Sequence, residues 1–597
     1  MSIAACSVRL LSSVLIILAL CIPGAAAERP VDMPAIFPGK AIAFAELRGL
    51  DAKLEQLRTS ELLAIWRRSP QYQRYRASSD YRKLEAALQI AERQLGYDAW
   101  TAAKKLLGGN VAVGVYPKEG SRKPDVLVIV RTADGTAIRD LRQRLDPLLI
   151  LAEDQIRVTE MLTGVEVLSF LDDAATAAWH DDWLAVSTSR PLLDEALARL
   201  QREADDEQAG GLADDSSYQT MTKSIDWEGP VSETENQRVF RGYVDTRLLH
   251  EVAGGQLIPE KLDNPLGSLL VGDIMELLRT SPYAAVTADV GGGRLSITTA
   301  LARDSDKLGD RYGAFAPSDG VGVAAAPHVA DLIGSFTLYR DFAEWYARRE
   351  ELLQEQVLPG FDKFETGLAN ILPGRDFGED VLPFFGKRIT FVAAPQDYSH
   401  LDGEPGVKVP GMAIIVELAQ PDEAASLLQL FFQTLAAILN LEAGQQGRQP
   451  WVMASEAYGE IQVSYARYLQ KPSGEDLGIV YNFLPASARV GDRYILSSSL
   501  SLCKQIIDSL RDAANTPIST SPTQTMRAEL RFESLVKLIE SDADFFVGRM
   551  AQDGRTAEEA QAEFKALLDL LRQFRSLQAT TEVLPEVFQV RLEGSWK

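Results

Sequence analysis

Cysteine is almost missing from this chain, with three in 597 residues. Two of them, Cys6 and Cys21, lie in the opening stretch MSIAACSVRLLSSVLIILALCIPGAAA. That stretch, residues 1–27, reads as an export signal: Arg9, an apolar core from Leu10 to Ile22, a helix-breaking Pro23 and the small-residue site Ala25-Ala26-Ala27, cleaved before Glu28. Cleavage leaves Cys503 as the only thiol, which excludes an intrachain disulfide and a multi-cysteine metal site. Histidine is scarce too. None of the four, His180, His250, His328 and His400, has a partner at the i, i+4 spacing of a zinc-binding helix. Positive charge is in deficit, 61 basic against 84 acidic residues, for a net charge of -23. Binding to nucleic acid or anionic lipid needs clustered Lys and Arg, so neither is expected as a partner. After the leader, no segment is expected to reach membrane-spanning length without charges, so the mature chain is expected to be a soluble periplasmic or secreted protein. An uncleaved N-terminal anchor in the inner membrane is the alternative. Leu20 before Cys21 argues against a lipidation site, which takes a small residue there.

What the chain has in abundance is internal similarity. LLGGNVAVGVYP, from Leu106 to Pro117, reappears as FFGKRITFVAAP, from Phe384 to Pro395, with Gly108/Gly386 and Pro117/Pro395 in register. PDVLVIVRTADGTAIRDLRQRL from Pro124 has its counterpart in PGMAIIVELAQPDEAASLLQLF from Pro410. AAWHDDWLAVSTSRPLLDEALARL is echoed by SARVGDRYILSSSLSLCKQIIDSL, and both halves close on a hairpin preceded by a helix. The second of these closing helices opens with Thr556 and Glu559 at capping-box spacing, with Phe564, Leu567, Leu571 and Phe574 as its expected buried stripe. A shorter strand-to-helix unit recurs four times, as FAELRGLDAKLEQL, FRGYVDTRLLHEV, FTLYRDFAEWYARR and MRAELRFESLVKLI. These patterns predict an α+β fold in two similar halves, residues 36–302 and 323–597, each an antiparallel sheet of hairpins covered by helices. Residues 303–322 read as the linker, 202–237 as a loop or insertion, and 396–411 as a long hairpin loop.

At DFGEDVLPFFGKRITFVAAP, from Asp376 to Pro395, the chain resembles an uncharacterised family of exported bacterial proteins, a domain of unknown function. Its members carry an acidic residue, an Asp-hydrophobic-Leu-Pro-x-hydrophobic-Gly turn and a strand, followed later by a turn-strand-Ser-x-Ser-helix unit like GDRYILSSSLSLCKQII. MPAIFPGKAIAFAELRGLDAKLEQL resembles the start of such domains, whereas in the first half the Leu-Pro turn has decayed to DAWTAAKKLLGGN. The resemblance implies a folding signature and brings no reaction, cofactor or catalytic residue with it.

The segment most suggestive of chemistry is AAWHDDWLAVSTSRPLL, which puts His180, Asp181, Asp182, Ser187 and Ser189 within ten positions. An intervening strand would hold His180 and Ser187 apart, and the internal copy replaces His180 by Val490 while keeping the serines as Ser497 and Ser499. The segment is therefore expected to be a two-residue turn, a strand and a helix capped by Ser189. ADDEQAGGLADD, residues 204–215, is the best calcium candidate but lacks the Asp-x-Asp-x-Asp-Gly loop and reads as solvated. GVGVAA from Gly320 and the triplet Gly291-Gly292-Gly293 read as turn glycines rather than phosphate loops. The eight tryptophans, scattered along the chain, read as packing. No catalytic, cofactor-binding or metal residue is assigned. The expected function is non-enzymatic, binding or structural, with an envelope component or protein as partner; a hydrolase assembled from distant residues is the alternative.

Overall fold

The computed structural model describes residues 32–49, 55, 58–121, 123–132, 136–151, 156–162, 165–170, 175–180, 182–200, 210–229, 237–254, 258–304, 306, 308–317, 322–369, 374–474, 477–515 and 521–597. The leader, Asp181, residues 204–209 of the acidic 204–215 segment and Gly320 lie outside these residues. The chain forms two compact units: Met1–Leu257, Thr280–Arg303 and Trp596 in one, Ile258–Arg279, Asp304–Ser595 and Lys597 in the other. Strands and helices are mixed throughout, in the α+β class, and every strand pair described below is antiparallel.

In the first unit the strands are β1 (Ala43–Arg48), β2 (Asn110–Tyr116), β3 (Asp125–Arg131), β4 (Ile156–Leu162), β5 (Val165–Phe170), β6 (Ala175–His180), β7 (Trp183–Ser187), β8 (Gln237–Asp245), β9 (Tyr283–Gly291) and β10 (Arg294–Ala302). They pair in the order β4-β5-β6-β7-β3-β2-β1-β8-β9-β10. In the second unit they are β11 (Gly334–Tyr339), β12 (Phe385–Ala394), β13 (Gly411–Leu418), β14 (Trp451–Tyr458), β15 (Ile461–Tyr468), β16 (Ala486–Val490), β17 (Arg493–Ser497), β18 (Gln524–Arg531), β19 (Phe574–Val583) and β20 (Val587–Trp596). Their order, β14-β15-β16-β17-β13-β12-β11-β18-β19-β20, repeats the first strand for strand. The register repeats as well. Leu127 pairs with Ser187 as Ala413 pairs with Ser497, and Arg131 with Trp183 as Glu417 with Arg493.

Local sequence explains the elements. Alternation in Asp125–Arg131 buries Leu127 and Ile129 and half-exposes the residues between, the period-2 pattern of a strand with one covered face. The helix Leu500–Asn515 places Leu502, Cys503, Ile506 and Ile507 on one stripe, all buried against Val392, Ala413, Ile415, Val463 and Ile495 of the sheet. Each fully buried aliphatic side chain there contributes roughly 1.5–3 kcal/mol. The capping box forms as its spacing predicts: Thr556 Oγ1 accepts from Glu559 N at 3.2 Å and Thr556 N donates to Glu559 Oε2 at 2.9 Å. The buried stripe of that helix, Ala557–Leu571, differs from expectation. Ala560, Glu563, Phe564 and Leu568 face inward, Leu567 is exposed and Phe574 belongs to β19. Glu563 is tolerated inside because Arg555 stands 2.9 Å from its carboxylate.

Two sequence expectations need correction. Residues 258–279, expected in the first half, group with the second unit. Most of the helix Pro265–Thr280 is held there by Arg340 at the end of β11. Its Nε donates to Leu269 O at 2.6 Å, and its Nη2 donates to Leu270 O and to Asp273 Oδ2, both at 3.1 Å. Gly272 lets the helix settle on Phe315, since a Cβ there would meet the ring at 2.5 Å. The second correction concerns long apolar segments. Helix Pro421–Gln445 has no charge between Ala424 and Leu441 and is long and apolar enough to cross a membrane by length and composition. It buries Leu427, Leu428, Phe432 and Ala436, and exposes Leu430, Leu435, Ile438 and Leu441.

Candidate functional site

The His180 segment is a hairpin. Trp183 pairs with His180 across the two-residue turn, whereas Ser187 pairs with Thr176, four residues back along β6 and so about 13 Å from His180. Backbone geometry therefore keeps His180 and Ser187 too far apart to act as base and nucleophile. Ser187, 1% exposed, is committed locally: its Oγ donates to Val126 O at 3.0 Å and accepts from Ser189 N at 3.0 Å. Ser497 does the same with Ser499 N at 3.1 Å. The serine organising the helix entry is thus the first of each pair. Ser499, the counterpart of Ser189, bonds Ser501 Oγ at 3.0 Å. Asp182 holds Arg131 at 2.7 Å, and its carbonyl accepts from Thr132 N at 2.9 Å, as Asp492 O accepts from Leu418 N at 2.8 Å.

The described acids of the calcium candidate also have local work. Asp214 Oδ2 accepts from Gly210 N and Gly211 N at 3.0 and 3.3 Å, and Asp215 caps helix Ser216–Ser224 through Ser217 N and Tyr218 N at 2.9 and 3.3 Å. The first unit also buries a charge network. Glu46, fully enclosed, receives Arg241 Nε at 2.6 Å on one oxygen and Arg48 Nε at 3.1 Å on the other, while Arg241 also reaches Glu228 at 2.6 Å. With both oxygens of Glu46 held by guanidinium groups, this cluster is structural rather than acid–base machinery.

The site with open space lies in the second unit. β11 runs into a short helix, Phe342–Ala347, capped by Asp341, whose side chain accepts from Glu344 N at 3.0 Å. The i, i+3, i+4 spacing of Phe342, Trp345 and Tyr346 puts three rings on one side of it. Facing them, helix Leu358–Ala369 brings Phe361 and Phe364. The signature segment supplies the next wall: Asp376 accepts from Glu379 N at 2.8 Å, winding a wide helical turn over Phe377–Val381 that presents Phe377 and leads to Leu382. The helix fixed by Arg340 contributes Pro265 and Leu269. Together they line an open-mouthed cavity of about 470 Å³ with eleven residues, none charged. The rings pack edge to face, Tyr346 with Phe377 at 5.2 Å and Phe364 with Phe377 at 5.1 Å between centroids.

Polar groups at the cavity are few. Trp345 Nε1 is satisfied by Ser268 Oγ at 3.1 Å. Tyr346, only 6% exposed, has a hydroxyl with no hydrogen-bond partner among the described residues. Arg349 lies over its ring, 4.3 Å from the centroid, and donates Nη1 to Tyr346 O at 3.0 Å. Such a space can hold an apolar body with one polar end. It has no paired carboxylates, no His and no nucleophile poised beside a base. None of the residues singled out from sequence as chemically suggestive lines it. Trp345, read as packing, does, as do Phe377 and Leu382 of the signature segment. The overlooked signal was the density of rings in FAEWY and GFDKFETG.

No family model matches the chain, and no curated protein matches it. Solved structures to which it is similar include crystal forms of TP0453. Form IV gives a TM-score of 0.22 at 10% identity, covering 45% of this chain and 79% of that one. Form III gives 0.22 at 10% identity, covering 48% and 85%. A TM-score at that level does not establish a common fold.

Proposed function

We propose that this is an exported, non-enzymatic binding protein of the cell envelope whose second unit takes a single-chain amphiphile, such as a fatty acid. The observation that carries this reading is the uncharged, aromatic-lined cavity of about 470 Å³. A space of that size falls in the range of small-ligand sites, roughly 300–1,000 Å³. A strictly apolar lining favours hydrocarbon over water, because a water molecule needs two or more polar partners to stay. Tyr346 lines the cavity, and its hydroxyl, without a partner among the described residues, is the polar group this reading assigns to the carboxylate head of such a chain. The leader sequence supports export. The repeated strand order supports descent of the two units from one ancestor by duplication.

The test is displacement of a fluorescent fatty-acid probe from the native protein, compared with Gly360→Leu. A Cβ at Gly360 meets nothing within 4 Å, and Gly360 lines the cavity, so leucine fills part of it without a clash. Probe binding should fall about tenfold or more in the variant, with its thermal stability unchanged or raised. Equal probe binding by both proteins, or none by the native protein, would refute the assignment.

A further inference from the structure

A second cavity in the same unit, about 390 Å³, differs from the first in chemistry. It lies where helix Pro421–Gln445 ends and the β14–β15 hairpin begins and finishes. Trp451 and Tyr468 pair directly across that hairpin, so their side chains share a face. Tyr481 joins them, its ring centroid 5.6 Å from that of Tyr468 with planes at 48°. The platform is fixed from behind: Asn440 accepts from Trp451 N at 2.7 Å and donates to Trp451 O at 2.8 Å.

Around these rings stand three planar polar groups with unused capacity. Arg448 spends Nε on Gln446 at 3.0 Å, and its two terminal amino groups make no hydrogen bond among the described residues. Glu442 accepts Gln446 Nε2 on Oε1 at 3.0 Å, leaving Oε2. Gln449 donates to Gln470 O at 3.2 Å, leaving its own carbonyl. A purely apolar ligand offers these groups no partner in place of the water it displaces. An anion would meet the Glu442 carboxylate in the same cavity.

We propose that this cavity is a sugar site, taking a hexose or N-acetylhexosamine ring of a glycan. A pyranose matches both halves of the lining. One face of the ring is a patch of C–H groups that packs on an aromatic side chain, and its edge carries adjacent hydroxyls. A guanidinium fork or a carboxylate grips such a pair of hydroxyls in two parallel hydrogen bonds. Neighbouring groups of opposite charge suit a neutral ligand rich in hydroxyls. The site is independent of the apolar cavity and shares no lining residue with it.

Saturation-transfer NMR on the exported chain tests this with three probes: a trisaccharide of N-acetylglucosamine, cellotriose and maltotriose. Transfer to ring C–H protons of at least one sugar is expected. Arg448→Met and Tyr481→Ala should each weaken it about tenfold with unchanged circular dichroism, the loss of one charge-assisted hydrogen bond or one stacking surface. Gly360→Leu should leave it unchanged, which separates this site from the fatty-acid reading. If either variant unfolds, Gln449→Ala replaces it. No transfer from any of the three sugars, or equal transfer in folded variants, overturns the proposal.

Discussion

Arg340 can be removed with a consequence large enough to measure. Its side chain is 1% exposed and that of Asp273 2%, with 3.1 Å between them, and the same guanidinium donates to the carbonyls of Tyr339, Leu269 and Leu270. Arg340→Met keeps the apolar stem but leaves Asp273 buried without its cation. Breaking a buried pair from one side costs about 3–5 kcal/mol. Replacing both partners, as Arg340→Met with Asp273→Leu, should return most of that, because well-packed apolar substitutes for a buried ion pair are often neutral. Burial pushes the Asp273 carboxyl above its ordinary range, with Arg340 opposing. Without Arg340 the upward push of burial is opposed only by backbone N–H groups, Ile274 N among them, and the carboxyl is raised further. The folded state then holds a proton that the unfolded state releases, so the stability of Arg340→Met falls as pH rises from near 4 through the raised folded value. Urea unfolding followed by tryptophan fluorescence at pH 5 and pH 8 measures all of this. A single variant that loses less than about 1 kcal/mol, or a double variant no better than the single, would refute the reasoning.

Three further outcomes follow from the packing. Cys503 is fully buried and its thiol is pushed up to about 12 by burial, so iodoacetamide at pH 8 should leave it unmodified in the native protein and label it after denaturation, as read by peptide mass mapping. Ser187→Ala should cost about 1–3 kcal/mol in chemical denaturation, because it leaves the Ser189 N–H without its acceptor; a loss as small as that of an exposed serine would count against the hairpin account. Tyr346→Phe should raise the melting temperature of the ligand-free protein by removing a buried hydroxyl that has no partner, while weakening decanoate more than decane; calorimetric titration reads the difference.

Much of the architecture is written locally. Period-2 runs such as Asp125–Arg131, the capping box at Thr556 and the turn-strand-serine unit at Trp183–Ser187 are set by neighbours within a few positions, so their spacing suffices to read them. Features set by distant partners were not legible. Residues 258–279 join the second unit through Arg340, 67 positions from Asp273, and no local pattern announces that capture. The long helix Pro421–Gln445 is punctuated by Gln429, Gln433 and Asn440, which mask an uncharged run that counting charges alone would reveal. The aromatic cavity is assembled from four separate segments. In two of them, Phe342–Tyr346 and Phe361–Phe364, rings at helical spacing carry the same signature as ordinary core, and only their failure to fill the space between them distinguishes the site. The serine that organises the helix entry stands two positions before Ser189, and the buried leucine of the closing helix one position after Leu567, because both are chosen by the packing around them and not by spacing alone.

The most direct test of the central claim is a chain-length series of saturated fatty acids, hexanoate to hexadecanoate, titrated into the native protein by calorimetry. An apolar cavity that buries the chain predicts affinity rising about fourfold per added methylene, from about 0.8 kcal/mol each, until the space is filled. The heat-capacity change on binding should be negative over the same range, and in Gly360→Leu, whose side chain takes up part of the space, the rise should stop at a shorter chain. Affinity independent of chain length, or a rise that ends at the same chain length in both proteins, would contradict the account.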